Sequence, residues 1–346
     1  MLYIEDIDSK EILLEILKEK YKILIKIEKQ FKKIYEILGT IIFIYMSVCN
    51  KNIKKVISIE NEGLECDVLY VITKKERISK IAINKILKDI EKRGIRRVVL
   101  SNTLNQNEFL KNTLNANDIK IIDGKILAEF LIYDMIEYIA NIQKREIEKY
   151  EISILINDKN NIRMEIIKKV IEKCNVVNIV TCNIKQFENL KEELQQAYGI
   201  CLNVTTNTSK TLLNSDIIIN FDFVSEIYRK CIIPEKAIIV NIFEDIKIYS
   251  NVFKGINITD YMIYIPERYK VFFKKMKRFN VNLIYESILF NEYITNEKIK
   301  NKIEKDNIKI RYFLGNNDKI RGREFIKIIR KKHTKNKSIK TIDKLK

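Results

Sequence analysis

The residues able to do chemistry in this chain are few in kind. Its one histidine, His333, lies close to the end of the sequence. A histidine general base, a Ser-His-Asp triad or a histidine-ligated metal site therefore has nothing to be built from. The six cysteines (Cys49, Cys66, Cys174, Cys182, Cys201 and Cys231) show no C-x-x-C spacing. That excludes a zinc ribbon and a thioredoxin motif, and no metal is expected. No G-x-x-x-x-G-K-[ST] segment occurs, which excludes a Walker-type NTPase. Acid–base work is left to carboxylates, lysine, tyrosine and cysteine. Tyr70 and Lys74 have Tyr-x-x-x-Lys spacing, but at a strand end, where a short-chain dehydrogenase does not carry that pair. Cys49 is the one candidate nucleophile. It stands in Ser47-Val48-Cys49-Asn50-Lys51, after an apolar run read as a buried strand, and the neighbouring lysine would lower its pKa. The alternative is a small residue that closes a strand.

The elements that must position such groups are short and alternate. Apolar residues from Leu13 to Leu38 recur at about 3.5 residues, the spacing of a long first helix with Asp8 or Ser9 as its cap, although Tyr21 to Ile27 can also be read as a strand. Ile41 to Val48 then reads as a buried strand. Strands at 56–59 and 68–72 flank an Asn61-Glu62-Gly63 turn. A helix over 78–92 stops at Gly94, and strands at 97–101 and 119–122 flank a helix over 107–114. Gly124 opens a long connecting helix to about Ile147. Beyond it, strands at 152–156, 176–181, 200–205, 216–220 and 237–241 alternate with helices over 163–174, 184–197 and 223–231. Short apolar strands joined by helices are the mark of parallel β-α-β units. The expected organisation is an α/β domain over 1–123, the connecting helix over 124–149 and a second, parallel-sheet α/β domain over 150–265. Basic C-terminal helices over 266–332 and a disordered tail over 333–346 follow.

In an open parallel sheet, ligands sit beyond the carboxyl ends of the strands. Asn157, Asp158, Asn160, Asn183, Asn220, Asp222, Asn241, Glu244 and Asp245 all fall on that edge. Of these, Asn157, Asn160, Asn183 and Asp222, together with Lys185, are the candidate ligand-binding residues. Loop polar groups and helix caps are the alternative.

Three stretches carry a family likeness: Val180-Thr181-Cys182-Asn183-Ile184-Lys185, Leu213 to Asn220, and Pro234 to Asp245. In these, and in the order of its elements, the stretch over 151–245 resembles the NAD(P)-binding Rossmann domain of shikimate dehydrogenases and glutamyl-tRNA reductases. The Cys49 segment is similar to the nucleophile motif of the reductases. The resemblance implies an NAD(P)-dependent oxidoreductase, with NADP the implied cofactor because Lys185 could meet a 2′-phosphate. The chain departs from the family where the pyrophosphate is held. Ile156 to Asn161 contains no glycine, although G-x-G-x-x-G lets backbone N–H groups approach the phosphates. Asn157 and Asn160 tolerate left-handed backbone, but their side chains would crowd a phosphate. The other reading is therefore a non-catalytic or repurposed Rossmann-like protein that binds another small molecule or a protein.

Composition sets the outer bounds. The 346 residues are 46% hydrophobic, enough for two cores. The many lysines, isoleucines and asparagines suit an AT-rich bacterial genome. Of a net charge of +18, residues 319–346 supply twelve Lys or Arg against Glu324 and Asp343. That segment is a candidate contact for nucleic acid, or else a solvated terminus. The longest apolar run, Ile37 to Val48, falls short of the roughly 20 residues of a membrane span. A cytoplasmic protein that does not contact membranes is expected.

Overall fold

The computed structural model describes residues 2–7, 10–21, 24, 28, 41–42, 45–46, 53–59, 64–72, 78–198, 202–224, 231, 233–243, 253–275, 280–292, 295–315 and 318–328. The chain forms two compact units: Met1–Gly124 with Ile265–Ile299, and Lys125–Tyr264 with Lys300–Lys346. Both contain α/β sheets.

The first unit holds a five-stranded sheet in the order β2-β3-β1-β4-β5. Its strands are β1 (Leu2–Ile7), β2 (Ile53–Ile59), β3 (Leu64–Ile72), β4 (Arg97–Leu100) and β5 (Lys120–Ile122). Four run parallel, and β2 pairs antiparallel to β3 with Ile59 opposite Leu64. β1 occupies the centre, although the sequence pattern gave no strand there. Its Leu-Tyr-Ile-Glu-Asp-Ile carries two acids, and only its position between β3 and β4 explains its burial. Helix α1 (Lys10–Lys20) follows. A second expectation also fails. Ile41, Ile42, Tyr45 and Met46 are helical, not extended. Ile41 and Tyr45 are exposed while Met46 is buried, so this apolar run has a period near four instead of two. Helix α2 (Lys80–Lys92) is capped by Ser79, whose hydroxyl accepts from Ala82 N at 3.1 Å. It buries Ala82, Ile83, Ile86 and Ile90 and stops at Gly94, φ +62°. Short α3 (Asn102–Asn105) and α4 (Glu108–Ala116) lead to β5.

The second unit opens with α5 (Lys125–Phe130) and α6 (Ile132–Gln143), in place of one helix running to Ile147. The break falls at Leu131, and Lys144, in left-handed conformation at φ +50°, ends α6. Six parallel strands follow: β6 (Glu151–Leu155), β7 (Val176–Val180), β8 (Asn203–Thr205), β9 (Ile217–Asn220), β10 (Ile238–Val240) and β11 (Ile256–Ile258). Their order is β11-β10-β9-β6-β7-β8. Counted from β6, this is the 3-2-1-4-5-6 order of a doubly wound Rossmann sheet. Strands β6, β7, β9 and β10 are buried almost throughout, as a sheet covered on both faces requires. Helices α7 (Asn161–Lys173), α8 (Lys185–Tyr198) and α9 (Thr208–Leu212) make the crossovers. Of the helix expected over 223–231, Phe223 and Val224 are non-helical and 225–230 lie outside the described residues.

The C-terminal third also departs from the helical pattern. Helices α10 (Lys270–Lys275), α11 (Val281–Glu292) and α12 (Asn296–Lys305) are present. Strand β12 (Asp260–Ile263), however, pairs antiparallel with β13 (Ile310–Leu314), which pairs with β14 (Lys319–Ile320). Phe313 of β13 meets Tyr138 of α6 edge-on at 5.1 Å. Residues 322–328 are helical, and the Phe325 carbonyl accepts from Gln143 Nε2 at 3.0 Å. No described helix is long and apolar enough to cross a membrane.

Candidate functional site

In the second unit the strand order reverses between β6 and β9, which leaves a crevice beyond their carboxyl ends. Two loops enter it: Ile156 to Asn160 after β6, and Phe221 to Phe223 after β9. Each loop continues its strand for one residue. Ile156 N donates to the Val180 carbonyl and Phe221 N to the Leu155 carbonyl. The next residues turn toward each other.

The Asp222 carboxylate caps the β6 loop. It accepts from Asn157 N at 2.8 and 3.0 Å and from Asp158 N at 2.7 Å. These are the backbone donors that point at an anion beyond the first strand of a Rossmann sheet. Arg163, in the first turn of α7, completes the contact with Nη1 3.2 Å from Asp222 Oδ2. The same guanidinium donates through Nε to Glu129 Oε1 at 2.8 Å and through Nη1 to the Asp158 carbonyl at 3.1 Å. Its flat face lies 5.1 Å from the Phe221 ring, which stacks on Phe243 at 4.8 Å. The side chains of Arg163 and Glu129 are only 13% and 8% exposed. One cation thus holds two carboxylates away from water, an arrangement that depends on each keeping its partner.

Asn157, Asn160 and Asn220 brace the loops. Asn157 Oδ1 accepts from Cys182 N at 2.8 Å, tying the β6 and β7 loops together. Asn160 is the N-cap of α7, accepting from Arg163 N at 2.8 Å. Buried Asn220 accepts from Phe223 N at 2.9 Å and donates to Asn241 Oδ1 at 2.8 Å. The structure therefore brings together Asn157, Asp158, Asn160 and Asp222. Asn183 and Lys185 stand apart. Both are exposed at the start of α8, and their side chains make no hydrogen bond or ion pair with the described residues. Cys49, Glu244, Asp245 and residues 329–346 of the basic segment lie outside the described residues.

Arg163 and Glu129 were not singled out by the sequence pattern. Glu129 does carry a signal, as the one acid within the apolar run Ile126 to Ile132. Arg163 carries none, because an arginine in a first helical turn is ordinarily solvated.

A second aspartate at the opposite end of β9 has the same surroundings. Asp216 Oδ2 accepts from Arg145 Nη2 at 2.8 Å and from Glu151 N, the first residue of β6, at 3.2 Å. The Arg145 guanidinium lies 4.2 Å from the Tyr150 ring. The β6–β9 pair is clamped at both ends by an aspartate and an arginine, with Glu151 N at the amino end and Asn157 N and Asp158 N at the carboxyl end.

NAD(P), which the fold suggests, does not fit the site as built. Both forward-pointing N–H groups already have an anionic acceptor. The Asn157 side chain bridges to the next loop, and the end of β7, Thr181-Cys182-Asn183, offers no carboxylate for a ribose hydroxyl. Cys182, at the end of β7, is an exposed free thiol on this edge. Among the described residues no three His, Cys, Asp or Glu gather into a metal site. Cys174 is a buried free thiol whose pKa is pushed up to about 12 by burial, then by Glu148, so it is not a nucleophile.

The sequence matches no known protein family and no curated protein. Solved structures similar in backbone include an L-tryptophan dehydrogenase from Nostoc punctiforme, at 8% identity and TM-score 0.30, over 69% of this chain and 67% of that one. Two others are putative aspartate carbamoyltransferases. That from Leishmania major Friedlin gives 8% identity and TM-score 0.24 over 49% of this chain and 61% of its own length. That from Trypanosoma cruzi gives 14% and 0.23 over 49% and 59%. Likenesses this remote say nothing of what this chain binds.

Proposed function

We propose that this chain is a repurposed Rossmann-like protein, one that keeps the doubly wound sheet without dinucleotide-dependent catalysis and serves to bind a different ligand. The observation that carries this reading is the Asp222 carboxylate on Asn157 N and Asp158 N. A pyrophosphate and this carboxylate are alternatives at one position. For a dinucleotide to enter, Asp222 must leave and Arg163 must lose one of its two acidic partners. The missing glycines point the same way, because Asn157 uses its side chain as a strut between loops.

The test is thermal stability of the full chain with millimolar NADPH, NADH, NADP⁺ and NAD⁺. A ligand at a hundred times its dissociation constant stabilises by about 2.7 kcal/mol, an easily measured shift. No shift with any of the four is expected. A shift confined to NADP⁺ and NADPH, and abolished by Lys185→Ala, would overturn the proposal in favour of an NADP-dependent oxidoreductase.

A further inference from the structure

A groove of about 570 Å³ runs along α7 on a helical face of the second unit, walled by α5, α6 and the end of α12. That volume is ordinary for a small-molecule site. Its apolar lining comes from Phe130, Ile162, Ile166, Ile303 and Ile308, of which Ile166, Ile303 and Ile308 are buried. Above these lie four carboxylates: Asp134, Glu165, Glu172 and Glu304. None of the four forms a salt bridge with a described residue.

The three lysines of the lining do not balance them. Lys168 is taken by Glu193, outside the groove, at 2.5 Å. Lys169 lies 4.4 Å from the Tyr133 ring and is the cation felt by Asp134. Lys300 alone has no ion pair or ring contact among the described residues. Four carboxylates thus face two lysines, in a chain whose residues 1–318 carry a net charge of +8. The groove is therefore acidic above an apolar lining, in a mildly basic body. Burial, then Glu137 and Glu304, raise the Asp134 pKa, while Lys169 and its own backbone N–H oppose the rise. Burial is thus the main cause of the rise, and Lys169 is the largest charge acting on Asp134.

We propose that this groove binds a small organic cation: a primary or secondary amine carried on an aromatic or aliphatic body. The body would cover Phe130, Ile166 and Ile303, and the ammonium would lie among Asp134, Glu165 and Glu304. The proposal rests on the reading of the chain as a repurposed binding protein, and it supplies the ligand class.

The experiment is calorimetric titration of the full chain with phenethylamine, set against phenethyl alcohol (the same body without charge) and 3-phenylpropionate (the opposite charge). The amine is expected to bind about tenfold or more tighter than either, the margin of one charge-assisted hydrogen bond. That preference should shrink in Glu304→Gln and in Asp134→Asn, and binding should vanish in Ile166→Trp, which fills the groove. Alcohol or carboxylate binding as tightly as the amine would overturn the proposal, and so would no binding by any of the three. The wild-type comparison decides the matter even if a variant fails to fold. No nucleotide is involved, so failure here leaves the Asp222 reading standing, and nucleotide binding at the sheet edge would not rescue the groove.

Discussion

The two ends of the β6–β9 pair have the same construction and should not, by the rules of the fold, have the same task. At the amino end, Asp216 joins Arg145, Glu151 N and the Tyr150 face. At the carboxyl end, Asp222 joins Arg163, Asn157 N, Asp158 N and the Phe221 face. Ligands of open α/β sheets bind only at the carboxyl end, so the amino-end clamp is structural. Its repetition at the carboxyl end supports the view that Asp222 is there to hold two strands together. The difference is Glu129, a second and more deeply buried acid present at one end only. It ties the α5 helix into the carboxyl-end clamp, which makes that end the more costly to open.

Substitutions should rank accordingly. Arg163→Met is expected to be the most damaging, at about 3–5 kcal/mol, because Glu129 and Asp222 both lose their cation. Urea unfolding measures it, and a loss below about 1 kcal/mol would mean that water reaches Glu129. Asp222→Ala should cost about 2–3 kcal/mol, two backbone donors being left without an acceptor. Added phosphate should recover part of that loss, since an anion can return to the two N–H groups. The amino end provides the control. Asp216→Ala should cost about 1–2 kcal/mol, one donor being orphaned, with no recovery by phosphate. Equal recovery at both ends would dissolve the distinction between a former anion position and a plain clamp.

A pH-dependent effect sharpens the comparison through an acid that has no arginine among the described residues. Asp260, at the start of β12, accepts from Tyr261 N at 2.7 Å and forms no salt bridge with a described residue. Burial raises its pKa from 3.8 to about 6, with that N–H opposing. The folded state therefore holds the extra proton. Its contribution to stability is complete below about pH 3.8 and is lost as pH rises through about 6. Relative to wild type, Asp260→Asn should lose a pH-dependent component of about 2 kcal/mol between pH 4 and 7. Unfolding curves at a series of pH values report it, and parallel curves for the two proteins would show that Asp260 is solvated.

Much of the sheet architecture was legible in the sequence, because short apolar strands between amphipathic helices determine period and length together. The helix expected over 78–92, with Gly94 after it, was read from local signals alone, and Ser79 proved to be its cap. The failures are non-local. β1 is a strand because β3 and β4 flank it, and β13 because β12, about fifty residues earlier, offers an edge. The apolar run from Ile41 was misread because a short run does not distinguish a period of two from one near four. At the site, the absence of glycine after β6 was plain, and Asp222 was placed on the correct edge. Its role was not legible, since nothing in a linear sequence shows that a carboxylate 65 residues downstream from Asn157 turns back onto that residue's N–H.

The double clamp also bears on the lifetime of the fold. β6 begins one half of the doubly wound sheet and β9 the other, so the contacts between them close loops of 59 to 71 residues. Loops of that size are among the last to close. Interactions absent from the folding transition state act almost wholly on the rate of unfolding. Asp216 and Asp222 would then hardly alter how fast the chain folds. They would set how long the two halves, once joined, stay together.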